Sequence, residues 1–392
     1  MLKLLMLVAL GWLAVAQPSL AQPASGQPED ESAAEATDTA AADAPDAWGL
    51  NWIPPSGFYK GWVFLLQGYY SGLDGFGAGL DLSRPFTVPV LTDYLGTDIE
   101  FSASGRVYEQ LHGQLEIRTE ATIGEGRWNP RAVLQSSTRL REFWGVGSDV
   151  PDINKELFRP RDLRMYLELL RRFGRLGVGF RVEWQDYQYL ETESGGLLES
   201  GEFSGVSAGG KTVFGYGLTF DLDHRNDLYN PSAGWWFQGY VMSFGHFDDG
   251  GADFGNMYLD GRAYWGVTSD DVLAFQAFFF GVQDSAPVWR LASLGGREHS
   301  RGYSRNRYLE KRMAALQVEW RRPLFWRLHM QLFTGTAVVT ARWKKMQLKD
   351  QRPTFGAGLS VQVPEVSSVA LRGDLATGGG SVHGTLSIGY AF

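Results

Sequence analysis

The sequence predicts an all-β protein that crosses a membrane as an antiparallel barrel, with sixteen strands. Three observations lead there. Many segments of about ten residues or more alternate apolar and polar side chains, which suits a tilted spanning strand with one greasy and one tolerant face. Beyond the first residues, no apolar stretch is long enough for a membrane helix. The chain also ends in an alternating segment, where Ile388, Tyr390 and Phe392 are interleaved with Gly389 and Ala391. An export signal followed by such a body places the protein in the outer membrane of a Gram-negative bacterium, because only helices and closed barrels satisfy their backbone in lipid.

Residues 1–21 read as that signal. Lys3 is followed by the apolar stretch Leu4 to Ala16, and Ser19-Leu20-Ala21 offers small residues for cleavage before Gln22. An uncleaved helical anchor is the alternative, and Gly11 and Pro18 shorten the apolar run against it. Residues 22–47 carry Glu29, Asp30, Glu31, Glu35, Asp38, Asp43 and Asp46 with no base and few large apolar side chains. That composition predicts a disordered acidic periplasmic tail. The whole chain has 36 basic and 44 acidic residues; without Lys3 and the seven tail acids, 35 face 37. The body, 48–392, is nearly neutral, which argues against nucleic-acid binding. With no Cys, disulfides and thiolate metal sites are excluded. The chain holds 24 Phe, 16 Tyr and 14 Trp, yet its mean hydropathy is −0.20. A barrel with a wet interior combines these properties, since alternate residues face lipid.

The strands are predicted near 61–70, 75–88, 97–106, 109–121, 129–141, 160–172, 174–187 and 204–223. The second half adds 233–245, 254–267, 271–282, 311–322, 325–338, 353–363, 367–376 and 381–392. Leu111, Leu115 and Ile117 share one face against His112, Gln114, Glu116 and Arg118. Phe214, Tyr216, Leu218, Phe220 and Leu222 align. Leu316, Val318 and Trp320 oppose Gln317, Glu319 and Arg321. Connections after even strands are mostly short: Glu125-Gly126-Arg127, Phe173, Thr268-Ser269-Asp270, Pro323-Leu324 and Pro364-Glu365-Val366. Those after odd strands include 142–159, 188–203, 246–253, 283–310 and 339–352. Short turns belong in the periplasm and long loops outside, so both termini are expected in the periplasm.

The longest connection holds the densest basic run, Gly295-Gly296-Arg297-Glu298-His299-Ser300-Arg301-Gly302-Tyr303-Ser304-Arg305-Asn306-Arg307-Tyr308. Such a loop can meet surface lipopolysaccharide or fold inward; Gly295, Gly296 and Gly302 permit sharp turns, and Arg301 offers a rigid fork for a carboxylate. Here the chain resembles the Omp85 superfamily, the BamA/TamA-like or surface-antigen D15 barrels. Arg301-Gly302-Tyr303 matches the family's Arg-Gly-Phe/Tyr tripeptide in a sixth extracellular loop that folds into the barrel. Arg141 to Gly147 is similar to its aromatic-Gly-x-Gly segment. Asp223, Arg225, Asn226, Asn230, Pro231 and Gly234 are similar to its periplasmic turn between strands eight and nine. The resemblance spans roughly residues 55–392. It implies that Arg301 pairs with Glu319 in the lumen, with Arg321 beside it. A second family partner, an Asp on the next strand, is missing from Phe333-Thr334-Gly335-Thr336-Ala337. Periplasmic POTRA domains also have no counterpart before the barrel, so their role is expected to be either absent or supplied by a separate periplasmic partner.

The resemblance implies insertion or translocation of proteins or lipids at the outer membrane, with no cofactor. Its expected partners are outer-membrane lipids, lipopolysaccharide, and the barrel-assembly machinery, which would read Ile388, Tyr390 and Phe392 as a C-terminal signal. A passive small-solute pore, or a structural surface barrel, is the alternative. A phospholipase is a third reading, since Ser381 with His383, or Ser300 with His299, forms a Ser/His pair. Neither pair comes with a visible third group, and the chain is expected not to be an enzyme. Asp221, Asp223 and Asp227 are expected to shape a turn rather than bind metal. His246, Asp248, Asp249 and Asp253 are expected in a solvated loop.

Overall fold

The computed structural model describes residues 57–59, 62–71, 75–87, 98–108, 112–200, 211–227, 230–246, 254–296, 298–345, 350–362 and 370–388. The expected signal and acidic tail, Tyr390 and Phe392, and Asp248, Asp249 and Asp253 lie outside these residues. Sixteen described strands have eight or more residues. They are β1 (Trp62–Ser71), β2 (Gly75–Thr87), β3 (Asp98–Tyr108), β4 (Gly113–Thr122), β5 (Trp128–Ser137), β6 (Glu156–Phe173), β7 (Leu176–Glu191) and β8 (Lys211–Asp223). There follow β9 (Gly234–His246), β10 (Phe254–Gly266), β11 (Val272–Val282), β12 (Arg312–Phe325), β13 (Leu328–Thr340), β14 (Arg352–Gln362), β15 (Ala370–Gly378) and β16 (Ser381–Ile388). Each pairs antiparallel with the next, from β1 through to β16.

One contact shows how far this sheet curls. Arg352, at the start of β14, donates through Nη2 to the carbonyl of Ser148, in the connection after β5, at 2.6 Å. At about 4.8 Å per strand, a flat sheet would hold those ends roughly 43 Å apart. The sheet is a rolled barrel, and its two faces differ as alternation requires. Along β7, Val178, Phe180 and Val182 are exposed on the outer wall, while Arg181, Glu183 and Gln185 are buried inside. Tyr216 and Leu218 on β8 and Leu316 on β12 likewise face outward. At the short-turn end, Phe173, Trp265, Phe325 and Trp326 are exposed, as in an aromatic belt at a lipid boundary. No helix of the described residues is long and apolar enough to cross a membrane.

Several boundaries differ from the sequence reading. The predicted strand 129–141 splits. Thr138 closes the β4–β5 ladder by bonding Gly113 through both its N–H and its hydroxyl, and Arg141–Phe143 then pairs separately with β6. Pro323-Leu324 is not a turn: both lie inside β12, where the register shifts between Pro323 and Phe325. A bulge tolerates a residue without an N–H, and the turn falls instead at Trp326-Arg327. Phe173 ends β6, and the reversal is Gly174-Arg175. β6 has 18 residues and β7 has 16, well beyond the ~10 a tilted strand needs to span. This hairpin therefore rises above the membrane at the long-loop end.

Candidate functional site

The connection from β11 to β12 fills the upper lumen. Its two arms, Ala292–Leu294 and Tyr308–Glu310, pair with each other as an inner hairpin. Leu294, Tyr303 and Tyr308 pack with Phe278, Met313, Ala315, Ala337 and Val339 of the wall in one buried apolar cluster. The tip turns at Gly295, whose φ of +115° would be strained for other residues, and whose missing Cβ would lie 1.9 Å from the Ser304 carbonyl oxygen.

Arg301 projects from this tip. Its side chain is 1% exposed, and Nη1 donates to Glu319 Oε2 on β12 at 2.8 Å and to Asp374 Oδ2 on β15 at 3.5 Å. Its guanidinium lies 3.4 Å from the ring centre of Phe333, a stacking that suits a flat cation. Glu319 receives two further arginines. Arg321 Nε donates to Oε1 at 2.9 Å, and Arg372 of β15 donates to both carboxylate oxygens at 2.9 and 2.8 Å. Arg372 also reaches Asp374 Oδ1 at 2.8 Å. Three guanidiniums thus surround two carboxylates, all nearly free of solvent. The second acid beside Arg301, absent from 333–337, is Asp374, two strands further on. Sequence reasoning missed both Asp374 and Arg372.

Gly302 and Tyr303 complete the docking. A Cβ on Gly302 would lie 2.4 Å from the carbonyl carbon and oxygen of Thr377, so the loop backbone rests directly on β15. Tyr303 covers Gly378 and Gly379, and its hydroxyl donates to the Pro353 carbonyl at 3.4 Å.

A second anchor lies on the opposite wall. Arg290, in the 3-10 turn Val288–Arg290, pairs with Glu183 of β7 at 2.8 Å. Arg164 grips the same carboxylate with two bonds, at 2.9 and 2.8 Å, and Arg181 adds one at 2.8 Å. Each end of the loop therefore presents one arginine to a wall glutamate already held by two. The Arg141–Gly147 segment supports the hairpin's other edge: Gly147 N–H donates to the Leu309 carbonyl at 2.8 Å, and the Asn306 amide reaches the Glu142 carbonyl at 3.4 Å. Arg307 bonds Val150 and Asp152. Arg290→Ala is expected to loosen this half of the loop and leave the Arg301 tip seated. Limited proteolysis should then cut between 283 and 294 at least several-fold faster than in the wild type, with cleavage near 301 unchanged.

The turn residues gather at the other end. Arg225 bonds Asp223 through its backbone and its guanidinium, Asn226 Oδ1 accepts from the N–H groups of Ser232 and Ala233, and Asn230 N–H donates to Asp227. Pro231 is buried, and Gly234 has a φ of +99°. These are Asx bonds that fix a turn. Among the described residues, no group of three potential ligands is arranged to hold a metal. The Ser/His pairs lie away from the lipid-facing wall. By register, Ser381 and His383 share a face with Gly378 and buried Ala376, opposite exposed Leu375 and Val382. His299 stacks on Phe278 at 3.6 Å inside the lumen, where burial holds its imidazole below the ordinary value. Ile388 closes β16, paired with Leu371.

A profile of the Omp85 superfamily domain matches residues 72–371. Among solved structures, the chain is similar to BamA from Haemophilus ducreyi lacking POTRA domains 1–3, at 11% identity and a TM-score of 0.56, covering 83% of this chain and 69% of that one. It is similar to CdiB from Acinetobacter baumannii at 12% identity and a TM-score of 0.52, covering 84% and 59%. CdiB from Escherichia coli gives 13%, 0.53, 84% and 61%. The chain thus spans about three fifths of the CdiB chains it matches. No curated protein matches it.

Proposed function

Because this chain belongs to the Omp85 superfamily, we propose that it is an outer-membrane barrel that inserts or translocates proteins. The reading rests above all on the inner hairpin, held by Arg301 on one wall and Arg290 on the other. A loop clamped at two places occupies the lumen and keeps the wall in shape, so that passage is controlled rather than free. No covalent chemistry is needed. In this reading the seam between β1 and β16 opens sideways toward lipid, and Ile388, Tyr390 and Phe392 serve as the signal for the chain's own assembly. A periplasmic partner delivers the cargo.

Purified full-length protein in liposomes is expected to speed the insertion of a small unfolded barrel protein several-fold over empty liposomes. Equal rates would overturn the reading. A passive pore is the second reading, and steady conductance in planar bilayers at wild-type loop occupancy would favour it. The reading also puts the long loops outside the cell. Since the chain has no Cys, Lys344→Cys gives a single thiol in the β13–β14 loop. It is expected to react with a membrane-impermeant maleimide on intact cells; labelling only after lysis would reverse the orientation.

A further inference from the structure

The outer wall carries a groove that the loop and lumen do not use. It has a volume of about 830 Å³ and runs across β7 to β12, from Phe180 in the short-turn half of β7 up to Arg312 at the long-loop end of β12. Tyr216, Leu218 and Val241 flank it and are exposed. Its floor is low because small residues occupy outward positions: Ser243 pairs with Gly255, and Gly281 pairs with Met257 on one side and Arg312 on the other. A Cβ on Gly281 would touch Phe279 at 3.4 Å and the Arg312 Cγ at 3.6 Å, so these two side chains close over the trench at its upper end.

That upper end is strongly basic. Arg312 sits on the lipid-facing side of its strand, as the pairing with Gly281 fixes, and donates to the Ala341 carbonyl. Lys311 lies next to it and Arg342 and Lys344 are exposed nearby in the next loop, with Asp284 accepting an ion pair from Lys311 at 3.2 Å. Trp343 lines the groove beside Arg312 and packs on Phe279 at 5.5 Å. A tryptophan at this level marks the boundary between acyl chains and head groups. An arginine on a lipid-facing strand position is costly unless paired; Arg312 spends one donor on the Ala341 carbonyl, and the rest of its guanidinium fork fits a phosphate.

We propose that this groove binds a phosphorylated glycolipid of the outer leaflet, with an acyl chain in the trench and a phosphate on Arg312 and its neighbouring cations. The site rests on the proposed orientation, in which the long-loop end meets that leaflet. The apolar trench and the basic rim are each ordinary on a barrel; their junction at Arg312 and Trp343 selects a ligand with both parts. A phospholipid with a zwitterionic head satisfies the trench and leaves the rim uncompensated.

Native mass spectrometry of the full chain in neutral detergent, with added lipid A, phosphatidylglycerol or phosphatidylcholine, tests this. Lipid A is expected to bind about tenfold or more tightly than phosphatidylcholine, a difference of roughly 1.4 kcal/mol, and more tightly than phosphatidylglycerol. Arg312→Gln is expected to lose about that factor. Gly281→Leu, which fills the trench and keeps every cation, is expected to lose a similar one. Phosphatidylglycerol binding as well as lipid A, or both variants binding lipid A like the wild type, would overturn the proposal. If a variant loses its heat-resistant folded form, the comparison of the three lipids on the wild-type chain still decides. Because binding in detergent does not depend on orientation, the surface labelling of Lys344→Cys separates failure of the site from failure of the proposed sidedness.

Discussion

Glu319→Ala is expected to abolish the heat-resistant folded band of the barrel on semi-native gels at temperatures the wild type survives. Charge counting at the loop tip gives the reason. In the native cluster Arg301, Arg321 and Arg372 face Glu319 and Asp374. Without Glu319, three buried guanidiniums share one carboxylate. Breaking one buried pair costs about 3–5 kcal/mol, and here a single carboxylate serves three arginines. Arg301→Ala is a different case. It leaves two arginines with two acids, a balanced wall, and detaches only the loop. Arg301→Ala should therefore lower the melting temperature of the folded band less than Glu319→Ala. Equal melting of both variants and the wild type would show that the cluster does not hold the barrel.

Gly302→Val should expel the loop tip. The added Cβ would lie 2.4 Å from the carbonyl carbon and oxygen of Thr377 and 2.7 Å from the Gly378 nitrogen. Those are backbone atoms of a paired strand, so no side chain can swing aside to relieve the contact. Overpacking of this kind costs about 1–3 kcal/mol by itself, and lifting the tip also separates Arg301 from Glu319, adding about 3–5 kcal/mol. The cheaper outcome is a withdrawn loop. Protease is expected to cleave near Arg301 at least tenfold faster than in the wild type, and channel conductance is expected to rise as the lumen empties. A tip as resistant as wild type would refute the close approach. Gly302→Ala presents the same Cβ and should behave alike, which separates contact from side-chain bulk.

Much of the wall was legible in the sequence because alternation is local. Val178, Phe180 and Val182 outside and Arg181, Glu183 and Gln185 inside can be read from seven or eight consecutive letters. The ends of strands were less legible. Pro323 looks like a turn, and only its neighbours' pairing shows a bulge within β12. Arg301 and Glu319 could be named because they stand in recognisable surroundings. Asp374, Arg372 and Arg290 could not, since which group reaches which wall position is decided by the curl of the sheet over 53 residues or more. One signal was available. Arg181 with Glu183, Glu319 with Arg321, Arg372 with Asp374 and Asp260 with Arg262 each place opposite charges two apart on one strand. Spacing of two puts both on one face, the inner one in all four, and at three of the four an arginine from elsewhere docks on the carboxylate.

The two anchors also differ in how much of the wall each requires. Arg290 and Glu183 both lie before β12, so the first clasp draws on one arc of the sheet. The second needs Glu319 of β12 together with Arg372 and Asp374 of β15, and Gly302 rests on β15 backbone. A wall short of its fifteenth strand would keep one clasp and lose the other, so the stopper is fully seated only in a circle that has all its staves.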